Sequence, residues 1–193
     1  MDKKKKPLPE NAKRVFKGKI FEVWQWEQKL YDGSSGIFER VKRPNTAQVI
    51  ATSGDKILIQ KQEQPDWTST YHSLPGGRCD DGPEDPLAAA KRELLEESGY
   101  VSDDWVLWKE ETPLNKMIWT IYTFIARNCK KQTEPKLDAG EKIENIWVDF
   151  ERFLELAEET LFYDRASLKM LMQMKVDAVE KEKFRKLIFG IGR

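Results

Sequence analysis

One histidine and two cysteines are the only imidazole and thiol groups in 193 residues. That scarcity excludes a good deal. Cys79 and Cys129 cannot build a disulfide framework, and a reduced, cytoplasmic protein is the simpler expectation. His72 has no Cys/His partners at ligand spacing, so it reads as a structural or substrate-edge residue rather than a zinc ligand. Charge of one sign is lacking too. Lys plus Arg and Asp plus Glu both number 33, so no net field favours nucleic acid or an anionic membrane. No apolar run approaches a membrane span, and no signal-peptide hydrophobic region is visible. Internal repeats are absent, and so is low complexity beyond Lys3–Lys6.

What is present reads as one domain with a small appended layer. Residues 1–14 form a basic tail, expected to be solvated and flexible rather than a nucleic-acid or lipid arm. Residues 15–46 carry aromatic and β-branched runs around Asp32-Gly33 and Gly36, the pattern of an antiparallel strand layer. Residues 47–193 hold the main domain. It opens with the hairpin "AQVIATSGDKILIQKQ", whose nearly continuous apolar runs suit strands buried on both faces. "WVLWKEE", "MIWTIYTFIARN" and "IENIWVDF" read as further strands. From Glu151 onward the chain reads as helical, with Leu168, Leu171, Met172 and Val179 at three-four spacing and Met170, Met172 and Met174 as packing residues. Strands and helices mix without strict βαβ alternation, so the expected class is α+β, a mixed sheet with helices on its faces.

The stretch "AAAKRELLEESGY" is a helix with its ends written in. Asp85 is the N-cap, Pro86 the first helical residue and Gly99 the residue just past the end. Leu87, Ala90, Leu94 and the stem of Lys91 can pack inward, while Arg92, Glu93, Glu96 and Glu97 gather around the other side. Glu93 lies three and four residues from Glu96 and Glu97, so the like charges share a face, and such pairs destabilise an isolated helix by roughly 0.2–0.5 kcal/mol each. Taken alone, the face reads as solvated charge. Upstream, however, lies "LPGGRCDDGPED", a glycine-bearing loop with four acidic residues. Three carboxylates and a loop carbonyl make a hard oxygen cage suited to Mg²⁺ or Mn²⁺, and Mg²⁺ commonly shares its shell with substrate phosphate oxygens.

Gly77–Tyr100 resembles the signature of Nudix hydrolases: Gly, five residues, Glu, seven residues, then Arg-Glu-apolar-any-Glu-Glu-any-Gly-apolar. Glu84 stands seven residues before Arg92, and Arg92 to Tyr100 match throughout. One departure is an extra residue between Gly77 and Glu84, six where the pattern has five. The resemblance implies an α/β/α sandwich and hydrolysis of a nucleoside diphosphate linked to another group. It implies Glu93, Glu96 and Glu97 as metal ligands, the Gly77 carbonyl as a fourth, Arg92 as orienting cation and Glu84 as a supporting acid.

The order of elements is similar to that of the ADP-ribose pyrophosphatase branch, with its preceding small sheet and a late strand like "GEKIENIWV". In that branch a glutamate before the last strand is proposed as the water-activating base. Glu141 is the best placed here, with Asp138 and Glu144 as neighbours. Departures touch the substrate. Gln62-Glu63-Gln64 stands where the branch has Gln-x-Arg, and Ser73 where it has glutamate. Pro113 stands nearer the box than the branch's proline does. "YHSLPGG" equally resembles the W-x-L-P-G-G of enzymes acting on nucleoside triphosphates. The implied activity is cleavage of ADP-ribose or another nucleotide sugar to a nucleoside monophosphate and a sugar phosphate. A triphosphate pyrophosphohydrolase and a non-catalytic nucleotide-binding module are the alternatives. Trp24 and Trp26 could stack on a substrate base, line a homodimer interface or sit in ordinary core. No nucleic-acid or membrane partner is expected.

Overall fold

The computed structural model describes residues 7–79, 85–159, 162 and 165–191. Residues 1–6 of the expected tail, and Glu84, lie outside the described residues. The aromatic N-terminal segment forms three strands, β1 (Lys13–Lys17), β2 (Glu22–Lys29) and β3 (Ser35–Lys42), paired antiparallel in that order. Strand pairing begins at Lys13, two residues ahead of the expected Val15. At the β2–β3 turn the Asp32 carboxylate accepts from Ser34 N and Oγ, and Gly33 takes φ 87°.

The main domain follows with β4 (Thr46–Ser53), β5 (Lys56–Glu63), β6 (Tyr71–Ser73), β7 (Gly76–Arg78) and α1 (Pro86–Ser98). Then come β8 (Tyr100–Val101), β9 (Asp104–Glu111), β10 (Met117–Ile118), β11 (Ile121–Arg127), β12 (Lys130–Lys131) and β13 (Lys142–Val148). The chain ends in α2 (Phe150–Glu155), a 3₁₀ turn over Leu156–Glu158, α3 (Arg165–Val176) and α4 (Ala178–Phe189).

The large sheet runs β13-β5-β4-β11-β9 and is mixed. β11 lies parallel to β4, while β13–β5 and β11–β9 are antiparallel. Successive residues of β4 point to opposite cores, as strand geometry requires. Val49 and Ala51 face α1, where Ala89, Ala90 and Ala126 keep the contact small-sided. Ile50 faces the C-terminal helices, against Phe153, Leu171, Phe184 and Ile188. Burial on both faces explains the unbroken apolar runs of this hairpin. The result is the α/β/α sandwich with a mixed sheet and a small N-terminal sheet that the family resemblance implies.

"MIWTIYTFIARN" is not one strand but two, broken at Trp119-Thr120. β10 joins the small sheet parallel to β3, and β11 joins the large sheet parallel to β4. Thr120 N donates to Asn45 Oδ1 (2.9 Å), Trp119 Nε1 to Thr46 Oγ1 (3.0 Å), and the Arg43 guanidinium lies 4.6 Å from the Trp119 ring centre. Two chain segments therefore cross side by side from one sheet to the other, fixing the small sheet beside the large one.

The tail is helical but not in one phase. Asp177 caps α4, its carboxylate accepting from Val179 N and Glu180 N, and this break resets the helical period. Leu171 and Met174 are buried as spacing predicts, and Leu168 and Met170 pack against the core. Met172 and Val179 are instead 46% and 64% exposed, and Phe184 and Ile188 take the core positions. Arg127 is fully buried under α4, donating to Leu187 O and to Asp104 Oδ1, both at 2.8 Å.

Candidate active site

The site grows from a fork in the sheet. β4 and β5 pair only at their turn end, at Thr52↔Ile57 and Ser53↔Lys56. Beyond that β7 pairs with β4 and β6 with β5. The connection Leu74-Pro75 enters the gap, with Val49 N donating to Pro75 O (2.9 Å). Gly76 is required there. Its φ is 148°, and a Cβ would stand 2.2 Å from Ala47 O.

Helix α1 lies across this fork. Asp85 has extended φ/ψ and accepts from Leu87 N, and Gly99 is left-handed at φ 74° with its N–H on Leu95 O. A Cβ at Gly99 would stand 2.0 Å from Thr133 O, because the following loop packs against the helix end. Gln132 N and Thr133 N bond Gly99 O, and Lys136 N bonds Glu96 O at 2.7 Å. These bonds lay the Lys136–Glu141 loop over the acidic side of the helix. Lys91 is exposed rather than packed inward, with its ammonium 5.9 Å from the Trp105 ring centre.

Glu97 departs from the expected solvated face. It lies seven residues from Ala90 and three from Leu94, on the core stripe, and is only 5% exposed. Its Oε2 accepts from Gly76 N (2.8 Å) and Gln60 Nε2 (3.2 Å). Burial lifts its carboxyl from 4.5 to about 8, against the pull of the Gly76 N–H. Glu93 is raised as well. Burial is the main cause, opposed by Arg92, with Glu96 and Glu141 adding repulsion. Arg92 Nη1 bridges Glu93 Oε1 (2.9 Å) and Glu96 Oε2 (3.2 Å), and its Nη2 donates to Arg78 O (3.1 Å). Gly77 abuts the same carboxylate, since a Cβ there would meet Glu93 Oε1 at 2.4 Å.

These groups line one cavity of about 500 Å³. Glu93, Glu96, Glu97, Asp138 and Glu141 line it with carboxyl groups; Lys19, Arg78, Arg92 and Lys136 line it with cations. Lys19 belongs to the β1–β2 connection, so the small sheet contributes a wall. Glu141 Oε2 accepts from Asp138 N (3.0 Å), which anchors the loop tip. The donor set is all oxygen, and burial raises the carboxyls of both Glu93 and Glu97, a cost that a bound cation would relieve; this chemistry fits a hard divalent cation. Among the described residues no three His, Cys, Asp or Glu side chains stand at ligand spacing, and Arg92 is paired with both Glu93 and Glu96. Glu93, Glu96, Glu97 and the Gly77 carbonyl are the oxygen groups of this cavity that could hold such an ion.

Of the residues singled out by sequence, Gly77, Arg92, Glu93, Glu96, Glu97 and Glu141 meet here. Glu144 lies on β13, outside the cavity lining. Trp24 and Trp26 also lie outside it. Their Nε1 atoms donate to Glu22 and Gln28, and Trp26 packs on Phe38. His72 Nδ1 is 2.5 Å from Glu159 Oε2. Sequence reasoning missed Lys19, Lys136 and the amides around Glu97. Gln60 did leave a signal, as a polar residue directly after the buried apolar run Ile57–Ile59 demands a partner.

A motif helix laid across a sheet fork, with carboxyl groups and cations lining one cavity, suits a phosphoanhydride hydrolase. The family model described as "NUDIX domain" matches residues 42–179, and the chain belongs to that family, as a Nudix pyrophosphohydrolase. Within the family it resembles the ADP-ribose pyrophosphatase branch. It is 26% identical over 180 residues to "ADP-ribose pyrophosphatase" of Bacillus subtilis (strain 168), covering 88% of this chain and 94% of that one. It is 25% identical over 176 residues to "Methanol dehydrogenase activator" of Bacillus methanolicus, covering 89% and 94%. Its fold matches the "Crystal structure of ADP compounds hydrolase" with a TM-score of 0.70 at 20% identity, covering 91% and 96%.

Proposed function

We propose that the chain cleaves the diphosphate linkage of ADP-ribose or another nucleotide sugar, using Mg²⁺ or Mn²⁺, to give a nucleoside monophosphate and a sugar phosphate. The observation that carries this reading is the composition of the cavity wall, which five carboxyl groups share with Lys19, Arg78, Arg92 and Lys136. Carboxylates alone would repel a diphosphate, and cations alone would merely bind it. Together they suit a substrate that brings phosphate oxygens to a metal centre. The name of the Bacillus subtilis relative supports the diphosphate over the triphosphate.

A divalent cation bound by Glu93, Glu96, Glu97 and the Gly77 carbonyl would neutralise phosphoryl charge and sharpen a bound water as nucleophile. The chain's own groups do the rest. Arg92 orients the carboxylates, and Lys19, Arg78 and Lys136 hold the non-reacting phosphoryl oxygens. Glu141 carries the base role. Its Oε2 is engaged by Asp138 N, so Oε1 takes the proton as water attacks phosphorus and the bridging oxygen leaves with the product phosphate. Glu84 remains the supporting acid of this proposal.

The chain is also proposed to be cytoplasmic, as both cysteines are free and buried, and no helix among the described residues is long and apolar enough to cross a membrane. A homodimer through the small sheet is proposed from Val15, Phe16 and Ile37, which are 53%, 55% and 69% exposed. A monomeric mass by light scattering would refute it. The substrate is tested by hydrolysis of a nucleotide panel with Mg²⁺. Turnover of nucleotide sugars above nucleoside triphosphates supports the proposal, and the reverse order overturns it.

A further inference from the structure

We infer that Gln60, Gln62 and Tyr71 form a buried positioning chain that holds Glu97 in its working orientation; this rests on the metal-ligand reading of Glu97 proposed above. The register of the sheet builds the chain. Gln60 and Gln62 lie two apart on β5 and so share a face. Tyr71 of β6 is directly opposite Gln62, and Asn145 of β13 is directly opposite Gln60. Tyr71 Oη donates to Gln62 Oε1 (3.0 Å), Gln62 Nε2 to Gln60 Oε1 (2.8 Å), and Gln60 Nε2 to Glu97 Oε2 (3.2 Å). Gln60 is fully buried, and Gln62 and Tyr71 are 8% and 7% exposed.

The direction of this chain is forced from one end. With a cation bound, Glu97 is ionised and only accepts, so the amide nitrogen of Gln60 must face it. Gln60 Oε1 then faces Gln62 and can only accept, which turns the Gln62 amide and leaves the Tyr71 hydroxyl to donate. A flip at any link would set oxygen against oxygen or nitrogen against nitrogen among buried groups. Asn145 braces the same junction, accepting from Gln60 Nε2 (3.4 Å) and donating to Glu97 O (2.8 Å). With Gly76 N also on Oε2, both donors grip one oxygen of Glu97 and Oε1 is left for a ligand. Partners that orient a ligating group commonly change metal affinity about 10–100-fold when removed.

The test uses the full chain, Mn²⁺ titration by calorimetry without substrate, and steady-state kinetics on the best substrate of the panel. Gln60→Met keeps the volume and removes the donor. It should weaken Mn²⁺ binding about tenfold or more and lower kcat, with KM nearly unchanged. Tyr71→Phe should move the same two readouts in the same direction by less. The double variant should lose no more than Gln60→Met alone, because Tyr71 acts through Gln60. A merely structural role would lower the melting temperature and leave Mn²⁺ affinity where it was. Wild-type Mn²⁺ affinity and kcat in folded Gln60→Met overturn the inference. If that variant does not fold, the same result in Tyr71→Phe overturns it. Glu97→Gln separates the two layers: unchanged Mn²⁺ affinity there brings down the metal reading itself, whereas a loss there with none in Gln60→Met brings down only the positioning chain.

Discussion

Replacing Glu97 by Gln should make the cation-free protein more stable at alkaline pH while destroying its activity. Glu97 is 5% exposed, and burial lifts its carboxyl from 4.5 to about 8. Between those values the folded chain holds a proton that the unfolded chain has released. Fewer protons are bound in the unfolded state, so unfolding free energy falls as pH rises through this window. At about 1.4 kcal/mol per unit, the interval from 4.5 to about 8 sets a ceiling near 5 kcal/mol, of which roughly 3–4 kcal/mol falls between about pH 5 and pH 8. A glutamine at this position cannot ionise, yet its carbonyl can still accept from Gly76 N. The assay is urea unfolding of chelator-treated wild type and Glu97→Gln at the two pH values. Wild type should lose several kcal/mol more than the variant across the interval; Glu93 titrates in both proteins and largely cancels in the comparison. Adding Mn²⁺ near pH 8 should restore the wild type and leave the variant nearly unmoved. Parallel pH profiles for the two proteins would refute the reasoning.

Three further perturbations probe separate parts of the account. Gly77→Ala places a Cβ 2.4 Å from Glu93 Oε1, so turnover should fall by up to about 10²-fold as Glu93 is displaced, with little change in melting temperature because only a flexible side-chain end must move. Glu141→Gln should lower kcat with KM little changed, and an unaltered kcat would return Glu141 to a loop-anchoring role. Phe153→Ala, at a side chain with 0% exposure, should cost about 3–5 kcal/mol in urea unfolding while KM of the folded enzyme stays at its wild-type value.

The legible parts of this protein are those encoded within one helix or one turn. Asp85, Pro86 and Gly99 delimit α1 by local backbone chemistry, and Glu93, Glu96 and Glu97 meet because helical spacing brings them together. Gly33 and Gly54 mark their hairpins through positive φ. What stayed hidden depends on contacts between distant segments. Lys19 reaches the cavity only because β3–β4 and β10–β11 cross the two sheets side by side, and Lys136 only because its N–H bonds Glu96 O. The pairing of Gln62 with Tyr71 depends on the register set by the Leu74-Pro75 entry into the fork. Val179 looked like core because the apolar spacing runs through Asp177, where the helix in fact restarts in a new phase; Met172 precedes that break, one position past buried Leu171 on α3. The burial of Glu97 could have been read from its place on the Ala90–Leu94 stripe. A charged residue on a core stripe is a stronger sign of a ligand than three charges on one face.

The most direct test of a cation-dependent diphosphate hydrolase centred on Glu97 is the turnover of ADP-ribose by wild type and Glu97→Gln, followed as release of nucleoside monophosphate and sugar phosphate in the presence of Mg²⁺. The wild type should turn over ADP-ribose in a way that chelation abolishes, and the variant should lose orders of magnitude. Wild-type-like turnover by Glu97→Gln would contradict a metal centre built on Glu97.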